Sequence, residues 1–440
     1  MDTDILNLPG LKSLQVTENE YGDYRIMAET IVSPPFSCPV CGSPIIGFGK
    51  REQLFMDIPM HGKRTGIVVI RKRYRCSHKN CLKTFFEPLA GMDEKRAATK
   101  RLIEYIEKQS LKRTFANISD DIGLDEKTIR NIFRDYVNRL EKEVRFETPK
   151  LLGIDEIHII RPRCVICNVQ DRTIIDLLPN RNKDTVIRYL YQLPGREIIR
   201  YVCMDMWDPY REAVTTVLPQ AIIVVDKFHV QRMANQALDT VRKGVRERLT
   251  PKERRTLMHD RFILLKRYRD LDAHELLVLE SWLKNFEDMG VAYQFKEQFF
   301  DIWESKGGRE ALERYQLWKS RIPVQIEAAF RPITTAVSNW DQEIFAYFEH
   351  PVTNAYTEAL NSLIRVMNRL GRGYSFAAIR AKILFTEGLA KQKAPVYRKM
   401  YQAGDLPGNT MVVREGDSCQ ENNCGIDIRA LIDKIEDGDF

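Results

Sequence analysis

The sequence predicts a multidomain α/β protein: a cysteine-built ribbon, a helix-turn-helix, then a mixed sheet core interrupted by a long helical stretch. Three observations predict it. Paired cysteines bracket a strand-like run in the first ninety residues. A turn glycine separates two short amphipathic segments between Phe115 and Phe133. Between Leu151 and Asp226, β-like runs come first in succession and then alternate with helical segments, and helical periodicity follows to about residue 350. At 440 residues the chain exceeds one ordinary core. Motif and composition shifts divide it at 1–90, 91–147, 148–229, 230–350, 351–390 and 391–440.

Composition sets the class. The chain is 44% apolar and 29% charged, which suits a globular protein rather than a disordered one, and its net charge of +7 suits a polyanionic partner. It has no apolar run of membrane-spanning length and no secretory pattern, so the expectation is a cytoplasmic protein, or a nucleoid-associated one in a bacterium, with no membrane partner. Nine cysteines are an odd number and argue against a disulfide framework in a reducing compartment.

The ribbon rests on cysteine spacing. Cys38-Pro-Val-Cys41-Gly42 is a knuckle turn, Cys76 and Cys81 form the second pair, and Thr65–Arg75 between them reads as strand. Four thiolates at this spacing predict one structural Zn2+, with His78 as a weaker substitute ligand. Arg71, Lys72, Arg73 and Arg75 line the strand. They either touch phosphates or form a solvated edge.

The helix-turn-helix follows. A helix from Phe115 ends at Gly123, Asp125 caps the next, and Ile129, Ile132 and Phe133 make its buried stripe. Lys127, Arg130, Asn131 and Arg134 then face a DNA major groove. A plain helical hairpin is the alternative.

The sheet is expected from strands at Leu151–Ile160, Cys164–Gln170, Arg172–Leu178, Ile198–Asp205 and Ala221–Asp226, with helices near Lys183–Gln192 and Pro209–Leu218. Asp155 and Asp205 lie on or at the end of strands, and Glu358 lies on the helix Asn354–Arg369. Two such aspartates and a helical glutamate can hold a pair of hard divalent cations, the chemistry of phosphoryl transfer. Each acid has a plainer reading: a strand-end Asp often caps a helix, as Asp205 can. Glu156 points to the opposite face from Asp155. Asp226 and His229 either orient a metal-bound acid or serve as cap and packed ring. Asn354, Glu358, Asn361 and Arg365 fall on one helix face, at i, i+4, i+7 and i+11. Such a stripe lines a site or faces solvent. Cys164 and Cys167 read as ordinary strand cysteines.

Residues 227–270 hold 13 Lys/Arg against 5 Asp/Glu, a surplus above that of the whole chain. Arg242, Lys243, Arg246, Arg254 and Arg255 are candidate phosphate contacts there. Trp282, Trp303, Trp318 and Trp340 read as core aromatics, with base stacking as the alternative. Cys419 and Cys424 near the end read as spare thiols.

The order of these parts resembles the DDE transposases of bacterial insertion sequences, the ISL-three group in particular. The resemblance rests on the two cysteine pairs, the helix-turn-helix, Gly153-Ile-Asp155-Glu156, Met204-Asp205-Met206-Trp207-Asp208-Pro209-Tyr210, Val225-Asp226-Lys227-Phe228-His229, and Thr353-Asn354-Ala355-Tyr356-Thr357-Glu358-Ala359-Leu360-Asn361. It implies an RNase H-like core split by an all-helical insertion, with Asp155, Asp205 and Glu358 as ligands of two Mg2+ (or Mn2+) ions. Asp226 is the rival second acid. It implies binding of double-stranded DNA at transposon ends and target, cleavage and strand transfer, and a homodimer or larger assembly. A catalytically silent DNA-binding regulator is the alternative function.

Overall fold

The computed structural model describes residues 6–143 and 147–388. Cys419 and Cys424 lie outside them. The described chain forms two compact units. One contains the residues up to Arg200, Glu212–Gln220 and those from Asn354 on; the other contains Tyr201–Arg211 and Ala221–Thr353.

The first unit begins with a sheet built from β1 (Leu11–Glu18), β2 (Tyr24–Thr30), β3 (Ile45–Met60), β4 (Lys63–Cys76), β5 (Thr84–Phe86), β6 (Met92–Asp93) and β7 (Ala98–Thr99). Its order is β1-β2-β4-β3-β7-β6, with β5 on the other part of β4. Alternation along β3 and β4 buries Phe55, Ile67 and Val69 with Leu6, Ile26 and Met92. The same alternation carries Arg71 inward. Arg71 is fully buried and donates to Gln53 Oε1 (2.6 Å), the Glu87 carbonyl and Glu94 Oε1 (2.9 Å). Neither sequence reading of Arg71 survives: it is an internal strut, not a phosphate contact or a solvated edge.

Three helices follow: α1 (Lys100–Lys112), α2 (Phe115–Ile122) and α3 (Glu126–Glu143). Thr99 and Thr114 cap the first two, and Asp125 accepts from Thr128 N at 2.9 Å to start the third. Gly123 ends α2 at φ 73°, the left-handed cap that favours glycine. Ile129, Ile132 and Phe133 are buried as the periodicity predicts.

The strands β8 (Leu151–Ile159), β9 (Arg161–Asn168) and β10 (Thr173–Leu178) form an antiparallel meander, followed by α4 (Lys183–Gln192). Two late helices, α14 (Ala355–Leu370) and α15 (Phe376–Glu387), complete this unit. One hydrophobic core runs from the three-helix module through β8–β10 to α14 and α15: Leu102, Phe115, Ile132, Ile157, Val165, Leu360 and Ile383 all belong to it. Lys382 of α15 reaches into the module and donates to the carbonyls of Ser110 and Arg113. Burial lowers its pKa to about 8.

In the second unit β11 (Tyr201–Met204) and β12 (Ile222–Val225) pair in parallel. Between them in sequence lies α5 (Asp208–Val217). The expected strand from Ile198 starts later, because Arg196–Ile198 form a 3-10 turn. Eight helices follow: α6 (Lys227–Glu247), α7 (Pro251–His259), α8 (Arg261–Leu265), α9 (Ala273–Asn285), α10 (Glu287–Ile302), α11 (Gly308–Ser320), α12 (Val324–Asn339) and α13 (Asp341–Glu349). Trp318 packs on Phe295, Phe299 and Phe330, and Trp303 stacks on Phe348. Trp318 and Trp340 are buried, and Trp282 and Trp303 are half-buried. No helix among the described residues is long and apolar enough to cross a membrane.

The sheet and the three-helix module are joined by a buried ion pair. Asp57 of β3, fully buried, accepts from Arg101 Nε at 2.8 Å and Thr99 Oγ1 at 2.6 Å. Arg101→Ala strands that carboxylate, and we expect a loss of about 3 kcal/mol, read as a lower urea midpoint with unchanged slope.

Candidate functional site

Three groups of candidate residues are resolved, each within one unit. The first is the cysteine cluster. Cys38, Cys41, Cys76 and Cys81 offer sulfurs that all lie within 4.8 Å of one another. Cys38 and Cys81 Sγ are 3.8 Å apart and Cys41 and Cys76 3.4 Å. A tetrahedral zinc with bonds of about 2.3 Å has ligand edges of about 3.8 Å, so the set fits. The knuckle turns make this possible: Gly42 N donates to the Cys38 carbonyl at φ 69°, and Cys81 N to the His78 carbonyl. Hydrogen bonds from Ser43 draw the Cys41 thiol down to about 6, while burial pushes Cys76 up to about 12. Four sulfurs this close do not ionise together without a cation, and a bound Zn2+ supplies that charge. His78 is outside the cluster; its Nδ1 accepts from Asn80 N.

The second group surrounds Asp155, in the middle of β8. Its side chain is 4% exposed, with Oδ2 accepting from Asn361 Nδ2 at 2.7 Å and Oδ1 from Glu156 N at 2.7 Å. The same Asn361 amide reaches the Glu156 carbonyl at 3.3 Å. Two turns earlier Asn354 Nδ2 donates to the Ile154 carbonyl at 3.3 Å, and Thr357 Oγ1 donates to Asn354 Oδ1. The first turns of α14 are therefore bonded to β8 through Asn354, Thr357 and Asn361. These are buried, so the polar stripe does not face solvent. It departs from the predicted stripe at both flanks. Glu358 is half-buried at its edge and Arg365 is exposed. Thr357, unpredicted, takes the central place.

Gly153 makes the approach possible. A Cβ there meets Asn354 Oδ1 and Val169 Cγ2, both at 2.7 Å, and Thr357 Oγ1 at 3.1 Å. A glycine inside a strand marks close approach of another element; that signal stood in the Gly153-Ile-Asp155 motif. Glu156 pairs with Arg181 on the other face of the strand, as alternation requires.

The third group lies in the second unit. In the parallel register Met204 faces Val225, so Asp205 and Asp226 leave adjacent strand ends side by side. Asp226 N donates to the Met204 carbonyl at 3.1 Å. Asp226 is fully buried and caps α6 by accepting from Phe228 N at 3.2 Å. His229, one turn on, places Nε2 3.1 Å from Asp205 Oδ1. Asp226 thus forms the expected helix cap, and His229 is at the same time the neighbour of Asp205. A cavity of about 490 Å³ beside Met206 is lined by Met233, Pro332, Asn339 and Trp340. The Trp340 ring carries the Arg211 guanidinium 3.3 Å from its centroid.

The basic candidates divide by environment. On α3, Lys127, Arg130 and Arg134 are exposed and Asn131 is half-buried. Arg130 also pairs with Glu126. All four line an 800 Å³ groove whose far wall is Tyr374–Ala378, at the start of α15. In the second unit Arg242 is buried against Asp239 at 2.9 Å, and Lys243 meets the same carboxylate at 3.1 Å. Arg254 donates to the Leu249 and Glu247 carbonyls and closes the end of α6. Arg242 is the buried member of the set; Lys243 and Arg254 make these contacts from exposed positions. Arg246 and Arg255 stay exposed.

Comparison with known proteins gives three consecutive matches. Residues 34–81 match the zinc-finger of transposases IS204, IS1001, IS1096 and IS1165. Residues 87–137 match the helix-turn-helix domain of transposase family ISL3. Residues 152–383 match the ISL3 transposase family itself. Among curated relatives, the transposase for insertion sequence element IS1001 of Bordetella parapertussis is 22% identical over 326 residues, covering 72% of this chain and 80% of that protein. The transposase for insertion sequence element IS1557 of Mycobacterium tuberculosis is 26% identical over 278 residues, covering 56% and 61%.

Two outcomes follow from the geometry. The purified chain should retain one zinc per molecule by metal analysis, and Cys76→Ala should lose it. Gly153→Ala should cost about 1–3 kcal/mol through overpacking against Asn354 and Val169, whereas Gly244→Ala, whose Cβ meets nothing within 4 Å, should not destabilise.

Proposed function

The chain belongs to the ISL3 family of insertion-sequence transposases, and on that premise we propose that it binds the terminal inverted repeats of its element and carries out metal-dependent cleavage and strand transfer. The observation that carries the reading is that Asp155 is fixed in its strand by a hydrogen bond from Asn361, while Asp205, just past the end of β11, has His229 Nε2 3.1 Å away. Catalytic carboxylates need such fixing, because a ligand that wanders does not hold a metal in one geometry.

In this reading Asp155, Asp205 and Glu358 hold two Mg2+ ions, or Mn2+. Their donors are hard carboxylate oxygens, and Asn361 adds a buried Oδ1 without a partner among the described residues, an acceptor suited to an ordered, metal-bound water. The fit supports a hard divalent cation. Bound there, the ions lower the pKa of the attacking hydroxyl and stabilise the leaving 3′ oxygen. The protein's own residues do the positioning. Asn361 fixes one oxygen of Asp155 and, through the Glu156 carbonyl, the strand beneath it. His229 orients Asp205. Asp226 anchors the start of α6 and so the His229 ring. Transesterification replaces one phosphodiester by another and requires no nucleotide cofactor. The strand sequence of β8 to β12 with α6–α13 before Glu358 is what we read as an RNase H-like core with a helical insertion. Lys127, Arg130, Asn131 and Arg134 read bases and phosphates, and Arg246 and Arg255 add phosphate contacts. Two ends must be held together, so we propose a dimer or larger assembly on DNA, in the bacterial cytoplasm.

The test is cleavage and joining of a labelled duplex carrying the element's terminus, in Mg2+. Asp155→Ala, Asp205→Ala and Glu358→Gln should bind the duplex and neither nick nor join it. Asn361→Ala should retain activity lowered roughly 10–100-fold, the usual effect of removing a residue that orients a ligand. Asp226→Asn, which keeps an N-cap acceptor, should remain active. A dead Asp226→Asn beside an active Asp205→Ala exchanges the second acid. Wild type that binds and never cuts replaces the enzyme with a silent regulator.

A further inference from the structure

The two ends of β4 do different things. At the inner end Arg64 donates Nε and Nη2 to the Asp120 carbonyl of α2, at 2.8 and 2.6 Å. Asp57 on the partner strand β3 holds Arg101 of α1. This end is fastened to the helix-turn-helix. At the outer end β4 runs into the cysteine cluster, with Cys76 opposite Ile45. Just inside it, Arg73 and Arg75 bracket the ring of Phe48, 5.2 and 5.5 Å from its centroid. A register shift between Gly47 and Lys50, with Gly49 at φ 85°, presents that ring, and it is 43% exposed. Arg73 is steadied by Thr84 Oγ1 at 3.1 Å. Lys50, Arg51 and Lys72 stand on the same hairpin. None of these five cations forms an ion pair among the described residues, whereas Arg71 next to them pairs with Glu94.

Unpaired cations around an exposed aromatic ring are costly to keep together unless a polyanion meets them. Two guanidiniums two residues apart on a strand stand roughly 7 Å apart, which suits neighbouring phosphates of one DNA strand. The spacing along β4 is the second argument. From Arg64 to Arg73 is about 30 Å and to Arg75 about 36 Å, at ~3.3 Å per residue. One turn of duplex is about 34–36 Å. By alternation Arg64 and the two arginines lie on opposite faces of β4, and the right-handed twist of a long two-stranded ribbon turns its outer half relative to its inner half.

We propose that the outer β3–β4 hairpin is a second DNA contact, made by Phe48, Arg73 and Arg75 on the backbone of the duplex that α3 enters, about one helical turn away, with β4 as the spacer. The proposal rests on the reading of the chain as an end-binding transposase.

Hydroxyl-radical footprinting of the full, zinc-loaded chain tests it, on a duplex several turns long from the element's terminus beside a scrambled duplex. Wild type should protect two tracts about one turn apart. Arg73→Gln/Arg75→Gln should keep the helix-turn-helix tract and lose the other, and should lower the slope of log affinity against log salt by about 2. Arg73→Lys/Arg75→Lys should restore the tract. Zinc content and urea midpoint establish that each variant is folded. A wild type with a single tract, or a glutamine variant with both, overturns the proposal and leaves end binding intact. A wild type that protects nothing on the terminus overturns both.

Discussion

The chain leaves β8 and comes back to it 200 residues later, and the return is sealed by amide groups. Asn354 donates to the Ile154 carbonyl and Asn361 to Asp155. Backbone groups of a central strand are normally taken by neighbouring strands. Here side-chain amides of a helix fasten to the strand carrying Asp155, and they reach it because Gly153 has no Cβ to hold them off. Glu358 is on the same helix, so the closure that completes this unit also fixes the start of the helix that carries it. A buried polar contact of this kind costs stability unless it is satisfied. Its bonds to the strand and to Thr357 satisfy it, save at Asn361 Oδ1.

Much of the site was legible, because its signals are local. Cysteine spacing defines the ribbon, since a knuckle turn needs only five residues. Asp125 and Gly123 announce the two ends of a turn between helices. Asp205 and Asp226 read as strand-end acids because the apolar runs before them are short and unmistakable. The stripe on α14 was legible in part: periodicity placed Asn354 and Asn361 together, but put Arg365 with them. The helix turns away from the strand before that residue. Thr357 went unread because a threonine in a helix carries no charge to draw notice.

The unread part is tertiary pairing. Arg71 and Arg242 look like their neighbours in the sequence, yet each is buried, against Glu94 and Asp239, partners far along the chain or on the helix face below. Counting charges along a segment cannot tell a cation that serves the fold from one that serves a ligand. In the second unit, Asp239 alone gathers Arg242, Lys243 and Arg261. The surplus available to a polyanion is therefore smaller than composition suggests and sits at fewer positions.

The continuous core of the first unit has a consequence for how such proteins diversify. Phe115, Ile129 and Phe133 of the three-helix module pack in one interior with Ile157, Leu360 and Ile383, and Lys382 ends on the module's carbonyls. A module embedded this way is not a detachable cassette. Grafting a recognition helix bundle from a relative would exchange half of a shared interior and leave the other half mismatched. A change in what this DNA-binding module prefers is then most accessible through single replacements on the exposed face of α3. Lineages built on this plan should drift in what they recognise by small steps, while the body beneath stays constant.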